Sequence, residues 1–159
     1  MLTLEVAADI WSYDQDTGYF FWKTSPKYDI AVGSRAGWHD GKYWRLRYRQ
    51  KNYKASRVAW LMMTGGWPKD QVDHINGSKL DDRFINLREA TNAENCRNRP
   101  LRKDNKLSAK GVHKTRYAYV AQVSVDGART GLGSFRTREA AKAAYNTAAL
   151  KLHGKFARL

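Results

Sequence analysis

Between Gln71 and Arg99 the chain reads QVDHINGSKLDDRFINLREATNAENCRNR, and these residues leave the backbone few ways to run. A short apolar run ends on Asp73-His74. Asn76-Gly77 follows, a dipeptide that turns a chain back on itself because both residues tolerate positive φ. A polar loop closes at Asn86, just before a second short run at Leu87-Arg88. From Thr91 the letters TNAENCRN suit a short helix, with Thr91 or Asn92 as its cap. The predicted order is strand, loop, strand, helix. It sets Asp73 and His74 on the first strand and Asn95 on the helix. A carboxylate, an imidazole and an amide oxygen can then converge, to hold a metal ion and activate a water.

Charge narrows the partner. The 159 residues carry 29 Lys and Arg against 15 acids, a net +14, which suits a polyanion: nucleic acid first, an anionic membrane surface second. No apolar run has the length of a membrane-spanning helix, and the start, MLTLEVAADIW, lacks the basic segment of a signal peptide. Cys96 is the only cysteine, which excludes an intrachain disulfide and any zinc site built on cysteine pairs, and a reducing cytoplasm is the simplest location. Residues 71–95 hold three basic and five acidic side chains, whereas the stretches on either side are net basic. An acidic island in a basic body suits a protein that holds phosphates around a cation, or is ordinary loop solvation.

Residues 1–40 alternate aromatic pieces with turn signals (Asp16-Thr17-Gly18 before YFFW, Ser25-Pro26, Gly33, Gly37) and predict short strands and loops. KYWRLRYRQ alternates, with Tyr43, Arg45, Arg47 and Arg49 on one face and Trp44, Leu46 and Tyr48 on the other. The arginine row is either a solvated strand face or a phosphate contact. YKASRVAWLMMTGG predicts a helix capped at Ser56 and stopped at Gly65-Gly66. RNRPLRKDNKLSAK (97–110) has no apolar period and predicts a flexible basic linker able to follow a nucleic-acid backbone, Arg97 and Arg99 included. Beyond it, YVAQVSV, a turn at Asp126-Gly127, and RTGLGSF predict antiparallel strands, with GVHKTRYA able to supply one more. Thr137 caps a closing helix in which Ala140, Ala144, Ala148 and Leu152 recur every four residues beside Ala141 and Tyr145. The expected fold class is α+β: a small β-rich leader and a strand–loop–strand–helix unit over 1–99 with its core motif at 71–99, a basic linker over 100–109, and a three-stranded antiparallel sheet on one helix over 110–159.

VDHINGSKLDDRFINLREATNAENCRN closely resembles the HNH endonuclease motif, in the form found in phage and intron-encoded homing nucleases. DTGYFFW, YWRLRYRQKNYKASRVAW and TGGWP resemble the leader of those proteins, although Ser56 stands where that leader often has histidine. The resemblance implies a ββα-metal site acting on double-stranded DNA in the cytoplasm of a bacterium or phage-infected host. Asp73 and Asn95 would be the metal ligands, His74 the general base, and Asn86 a loop residue that keeps His74 aimed. Many family members have histidine at the position of Asn95; an amide oxygen there favours Mg²⁺ or Mn²⁺ over Zn²⁺. The expected products carry 5′-phosphate and 3′-hydroxyl ends. A monomer and a homodimer are both compatible with the sequence, as is a non-catalytic DNA-binding regulator on the same scaffold.

KGVHKTRYAYVAQVSVDGARTGLGSFRTREAAKAAYNTAALKLHGKFARL resembles the ethylene-response-factor (APETALA-type) DNA-binding domain, through its initial GV, LGSF, the EAA helix and LHGKFARL. That implies a sheet entering the DNA major groove, with contacts from His113, Thr115, Gln122, Ser124, Arg129 and Gly131, Arg129 on guanine, and Lys114 and Arg116 on phosphates. Gly131 stands where a large side chain is usual, and Thr115 and Ser124 where arginines are common, so the family's sequence preference does not carry over.

Overall fold

A computed structural model describes residues 1–26, 29–125 and 127–159. Its chain divides into two compact units, Met1–Thr91 and Asn92–Leu159. Among the described residues no helix is long and apolar enough to cross a membrane.

The first unit opens with a helix, α1 (Leu4–Ile10), where the sequence predicts only strands and loops. Thr3 explains the difference. Its hydroxyl accepts from the Val6 amide at 3.4 Å, and Glu5 lies in the first turn, against the helix dipole. Strands β1 (Trp11–Asp14) and β2 (Tyr19–Trp22) then form a hairpin. Asp14 closes its turn by accepting from the Asp16 amide at 2.9 Å and from the Thr17 hydroxyl at 2.7 Å. Trp11 and Phe20 are fully buried, Tyr13 packs against Phe20 with its ring tilted, and Leu2, Leu46, Val58, Leu61 and Leu87 belong to the same core.

Strands β3 (Trp38–His39), β4 (Trp44–Tyr48) and β5 (Lys51–Lys54) make an antiparallel sheet in that order. The predicted alternation holds on β4, where Leu46 is buried and Arg47 exposed. The strand stops at Tyr48, however. Arg49 and Gln50 have φ of 44° and 62°, the pair of left-handed residues that a two-residue hairpin turn demands, and Tyr53-Lys54 joins the sheet as β5. Helix α2 (Ala55–Thr64) therefore starts at Ala55, and Ser56 is a buried residue inside it, not its cap. Gly65, at φ 80°, ends the helix as predicted. Strands β6 (Gln71–His74) and β7 (Leu87–Ala90) pair antiparallel, Asp73 opposite Arg88 and His74 opposite Leu87, and a 3₁₀ turn at Phe84–Asn86 leads into β7.

The second unit begins with α3 (Asn92–Arg97). Its sheet runs β10 (Ala128–Phe135), β9 (Tyr119–Val125), β8 (Val112–Lys114), all antiparallel, with α4 (Arg138–His153) packed on β9 and β10. Of the predicted Asp126-Gly127 turn, Asp126 lies outside the described residues; Gly127 has φ 85°. Thr137 caps α4, accepting from the Ala140 amide at 3.2 Å. The buried stripe is offset by one from the predicted one: Ala141 and Ala149 are buried, while Ala140 and Leu152 face outward. Part of the predicted linker packs here too. Ala109 is buried and Leu107 half-covers the same core, because two apolar residues suffice to dock a stretch that has no period.

Candidate active site

The β6–β7 hairpin carries three of the four predicted central residues, Asp73 and His74 at the end of β6 and Asn86 immediately before β7. Asp73 and His74 end β6 with 4% and 5% of their surface exposed. Asp73 faces Arg88 across the strands, and its Oδ2 accepts from Arg88 Nε at 2.9 Å and Nη2 at 2.7 Å. His74 Nε2 lies 2.9 Å from Asp82 Oδ1, inside the protein. Asn86 ties the loop together: its Oδ1 accepts from the Asn76 amide at 2.9 Å, and its Nδ2 donates to the Asp81 carbonyl at 2.8 Å. The Ile75 amide donates to the Asn86 carbonyl at 2.9 Å, so the residues just after His74 are anchored from Asn86 by both side chain and backbone. Asn95, the fourth, lies on α3 in the second unit.

Sequence reasoning missed Asp82. The available signal was the acidic doublet Asp81-Asp82, whose two members have opposite environments. Asp81 is forked by Arg83, and also accepts from Asn76, which holds its carboxyl down at about 2. Asp82 is buried, and burial pushes its carboxyl above the ordinary range despite the opposing pull of His74. Tyr13 donates its hydroxyl to the Asp82 carbonyl at 2.7 Å, and burial, then the Asp82 charge, push that phenol well up. A carboxyl depressed by folding contributes stability above its unfolded value near pH 4, lost as pH falls through its folded value. The loop is therefore expected to loosen between about pH 4 and pH 2, followed by the Asn76 and Ser78 amide shifts, with Asp81→Asn removing that dependence.

The arginine row is shorter than predicted: Arg45 and Arg47 lie on β4 as expected, and Arg49 does not. Arg45 is bound to Asp40 at 2.5 Å, and Arg49 lies in the β4–β5 turn rather than on the strand face, leaving Arg47 as its exposed strand member. The concentration of charge is elsewhere: Lys54, Lys42 and Lys79 hold their ammonium groups 4.3, 5.4 and 5.5 Å from the Tyr43 ring centre. Burial, then Arg45, Arg57, Lys42 and Lys79, push the Lys54 ammonium down in pKa. Like charges so gathered repel, and an anion relieves them.

In the second unit, Ser124 pairs with Arg129, Gln122 with Gly131 and Val120 with His113, so Gln122, Ser124, Arg129 and His113 share one sheet face. Lys114, next along β8, points to the other face, with its ammonium 5.8 Å from the Tyr119 ring. Thr115 is engaged within the chain, its hydroxyl exchanging bonds with Ala118, and Arg116 is exposed at the same hairpin tip. Arg97 ends α3 and Arg99 follows it.

The HNH endonuclease family model matches residues 53–97, from β5 through α3. Protein 3.8 of Escherichia phage T7 is 35% identical over 120 residues, covering 72% of this chain and 98% of that protein. An uncharacterised HNH endonuclease of Acanthamoeba polyphaga mimivirus is 32% identical over 144 residues, 88% of this chain and 74% of its own length. No solved structure matches the chain significantly. With the motif folded as a hairpin around Asp73, His74 and Asn86, and a relative so named aligned along most of both lengths, the chain belongs to the HNH endonuclease family.

Proposed function

We propose that the protein is a metal-dependent homing-type endonuclease that hydrolyses phosphodiester bonds in duplex DNA, with His74 as general base. The observation that carries this is a buried imidazole, held at Nε2 by Asp82, next in sequence to the buried Asp73 carboxylate at the end of β6. His74 takes a proton from water, the resulting hydroxide oxygen bonds to phosphorus, and the phosphorus–O3′ bond breaks with its electron pair on O3′, which is then protonated. The products are 5′-phosphate and 3′-hydroxyl ends. Asn86 acts at one remove, through the loop bonds that fix the backbone beside His74.

Asp73 and Asn95 would hold the divalent ion. Their oxygen donors suit hard Mg²⁺ or Mn²⁺ rather than Zn²⁺. Among the described residues no cluster of three or more His, Cys, Asp or Glu forms a cage, so phosphate oxygens and waters would complete the sphere. A cation bound there supplies charge relief on the departing oxygen. The test is supercoiled plasmid incubated with and without Mg²⁺ or Mn²⁺, where open-circular or linear product is expected only with metal.

One observation favours a non-catalytic DNA-binding regulator: Arg88 already engages the Asp73 carboxylate, as a structural pair would. Wild-type protein that shifts duplex DNA but never nicks it would establish that alternative.

Substrate affinity would come from both units. The ammonium cluster around Tyr43 suits phosphates of the bound duplex. Lys42→Ala, Lys54→Ala and Lys79→Ala together are expected to make the slope of log K against log[salt] less negative by about 2 to 3, because each lost phosphate contact contributes about −0.9. The second unit's sheet face, with Gln122, Ser124, Arg129 and His113, would read the major groove in the manner of an ethylene-response-factor domain.

A further inference from the structure

We infer that Asp82 is the positioning residue of His74, and that the N-terminal β1–β2 hairpin exists in part to hold Asp82 in place; this rests on His74 being the general base. Asp82 Oδ1 stands 2.9 Å from His74 Nε2, with side-chain exposures of 4% and 5%. An ionised carboxylate can only accept a hydrogen bond. Between a carboxylate and an imidazole nitrogen the proton resides on the nitrogen, the more basic of the two. Nε2 therefore carries the hydrogen, and in the neutral ring the lone pair sits on Nδ1. That contact thus favours one nitrogen as the acceptor of the water's proton and one rotation of the ring. Loss of that partner removes the preference for this tautomer and this rotation, the combination that presents the acceptor.

The carboxylate is itself fixed by its backbone. Tyr13, on β1, donates to the Asp82 carbonyl at 2.7 Å. Gly18, in the hairpin turn, presses directly on the same peptide. A Cβ there would stand 2.5 Å from the Arg83 nitrogen and 2.6 Å from the Asp82 carbonyl carbon, and its φ of +76° also disfavours any side chain. From the opposite direction Asn86 Nδ2 holds the Asp81 carbonyl at 2.8 Å, and Arg83 forks the Asp81 carboxylate. Residues 81–83 are thus clamped between the leader hairpin and the asparagine that precedes β7. A surface loop needs no such clamp; an orienting carboxylate does.

The test uses the full chain, supercoiled plasmid and Mg²⁺. Asp82→Asn and Asp82→Ala are expected to lower kcat by about 10- to 1,000-fold, with KM within about twofold of wild type, since only the reacting geometry is lost. Asn, which can still accept from Nε2, should retain more activity than Ala. Gly18→Ala, which presses on the backbone of Asp82 and leaves its carboxylate chemically unchanged, should lower kcat in the same direction. In ¹⁵N spectra of the wild type, His74 should show a protonated Nε2 and a lone-pair Nδ1, and Asp82→Asn should give a mixture of tautomers. Wild-type kcat in both Asp82 variants, or a proton on Nδ1 in the wild type, would overturn the inference. If Asp82→Ala does not fold, the isosteric Asn variant decides. If His74→Ala cleaves normally, the general-base assignment falls instead, and the tautomer spectrum still judges the Asp82 contact.

Discussion

His74→Ala is expected to abolish nicking of supercoiled plasmid in Mg²⁺, a loss of about 10²–10⁴-fold at the chemical step, while leaving gel-shift affinity close to wild type. The two readouts separate because they depend on different parts of the molecule. Affinity for duplex DNA comes from many phosphate contacts, and a chain of net +14 supplies those far from this imidazole. Cleavage depends on one lone pair. The substitution also leaves the buried Asp82 carboxylate without its imidazole, so the melting temperature should fall; His74→Gln, which keeps a donor within reach of Asp82, should fall less and remain as inactive. Cleavage by a folded His74→Ala protein at the wild-type rate would remove His74 from the chemistry.

Asp73→Ala should produce the second large effect, and it has two components that can be taken apart. Arg88 and Asp73 form a pair whose side chains are 11% and 5% exposed. Deleting one partner of so buried an ion pair typically costs about 3–5 kcal/mol of stability, because the other charge loses its counter-ion in a poorly solvated place. Cleavage should disappear as well, because the proposed carboxylate ligand is gone. Adding Arg88→Met to Asp73→Ala replaces the pair by apolar groups and should recover most of the lost stability, read by denaturant unfolding, with no recovery of cleavage. A double variant that both folds and cuts would show that Asp73 serves the hairpin rather than a cation.

Much of the central motif was legible because it is local. The Asn76-Gly77 turn, the flanking short runs and the polar TNAENCRN stretch act over a few residues each, and the strand, 3₁₀ turn, strand and helix appear where they point. Gly65 ended α2 for the same reason. The errors arise where a residue's partner is remote or its backbone state is not implied by residue type. Arg49 adopts a left-handed turn that nothing in an alternating pattern announces, and the Asp40 carboxylate that pairs with Arg45 is not implied by the alternation. Thr3 starts a helix that the aromatic density of the leader conceals.

What the sequence determined by itself is the family, the strand end that carries Asp73 and His74, and the basic character of the surface, because motif spacing, turn chemistry and charge are properties of the chain. Only the tertiary structure assigned Asp82 to His74, Arg88 to Asp73 and the leader hairpin to the loop at 81–83. Tyr13 and Asp82 are 69 positions apart, and their contact exists because the core around Trp11 and Phe20 brings the hairpin onto that loop. Burial then gave two adjacent aspartates opposite characters, one held ionised at the surface by Arg83 and one enclosed beside an imidazole.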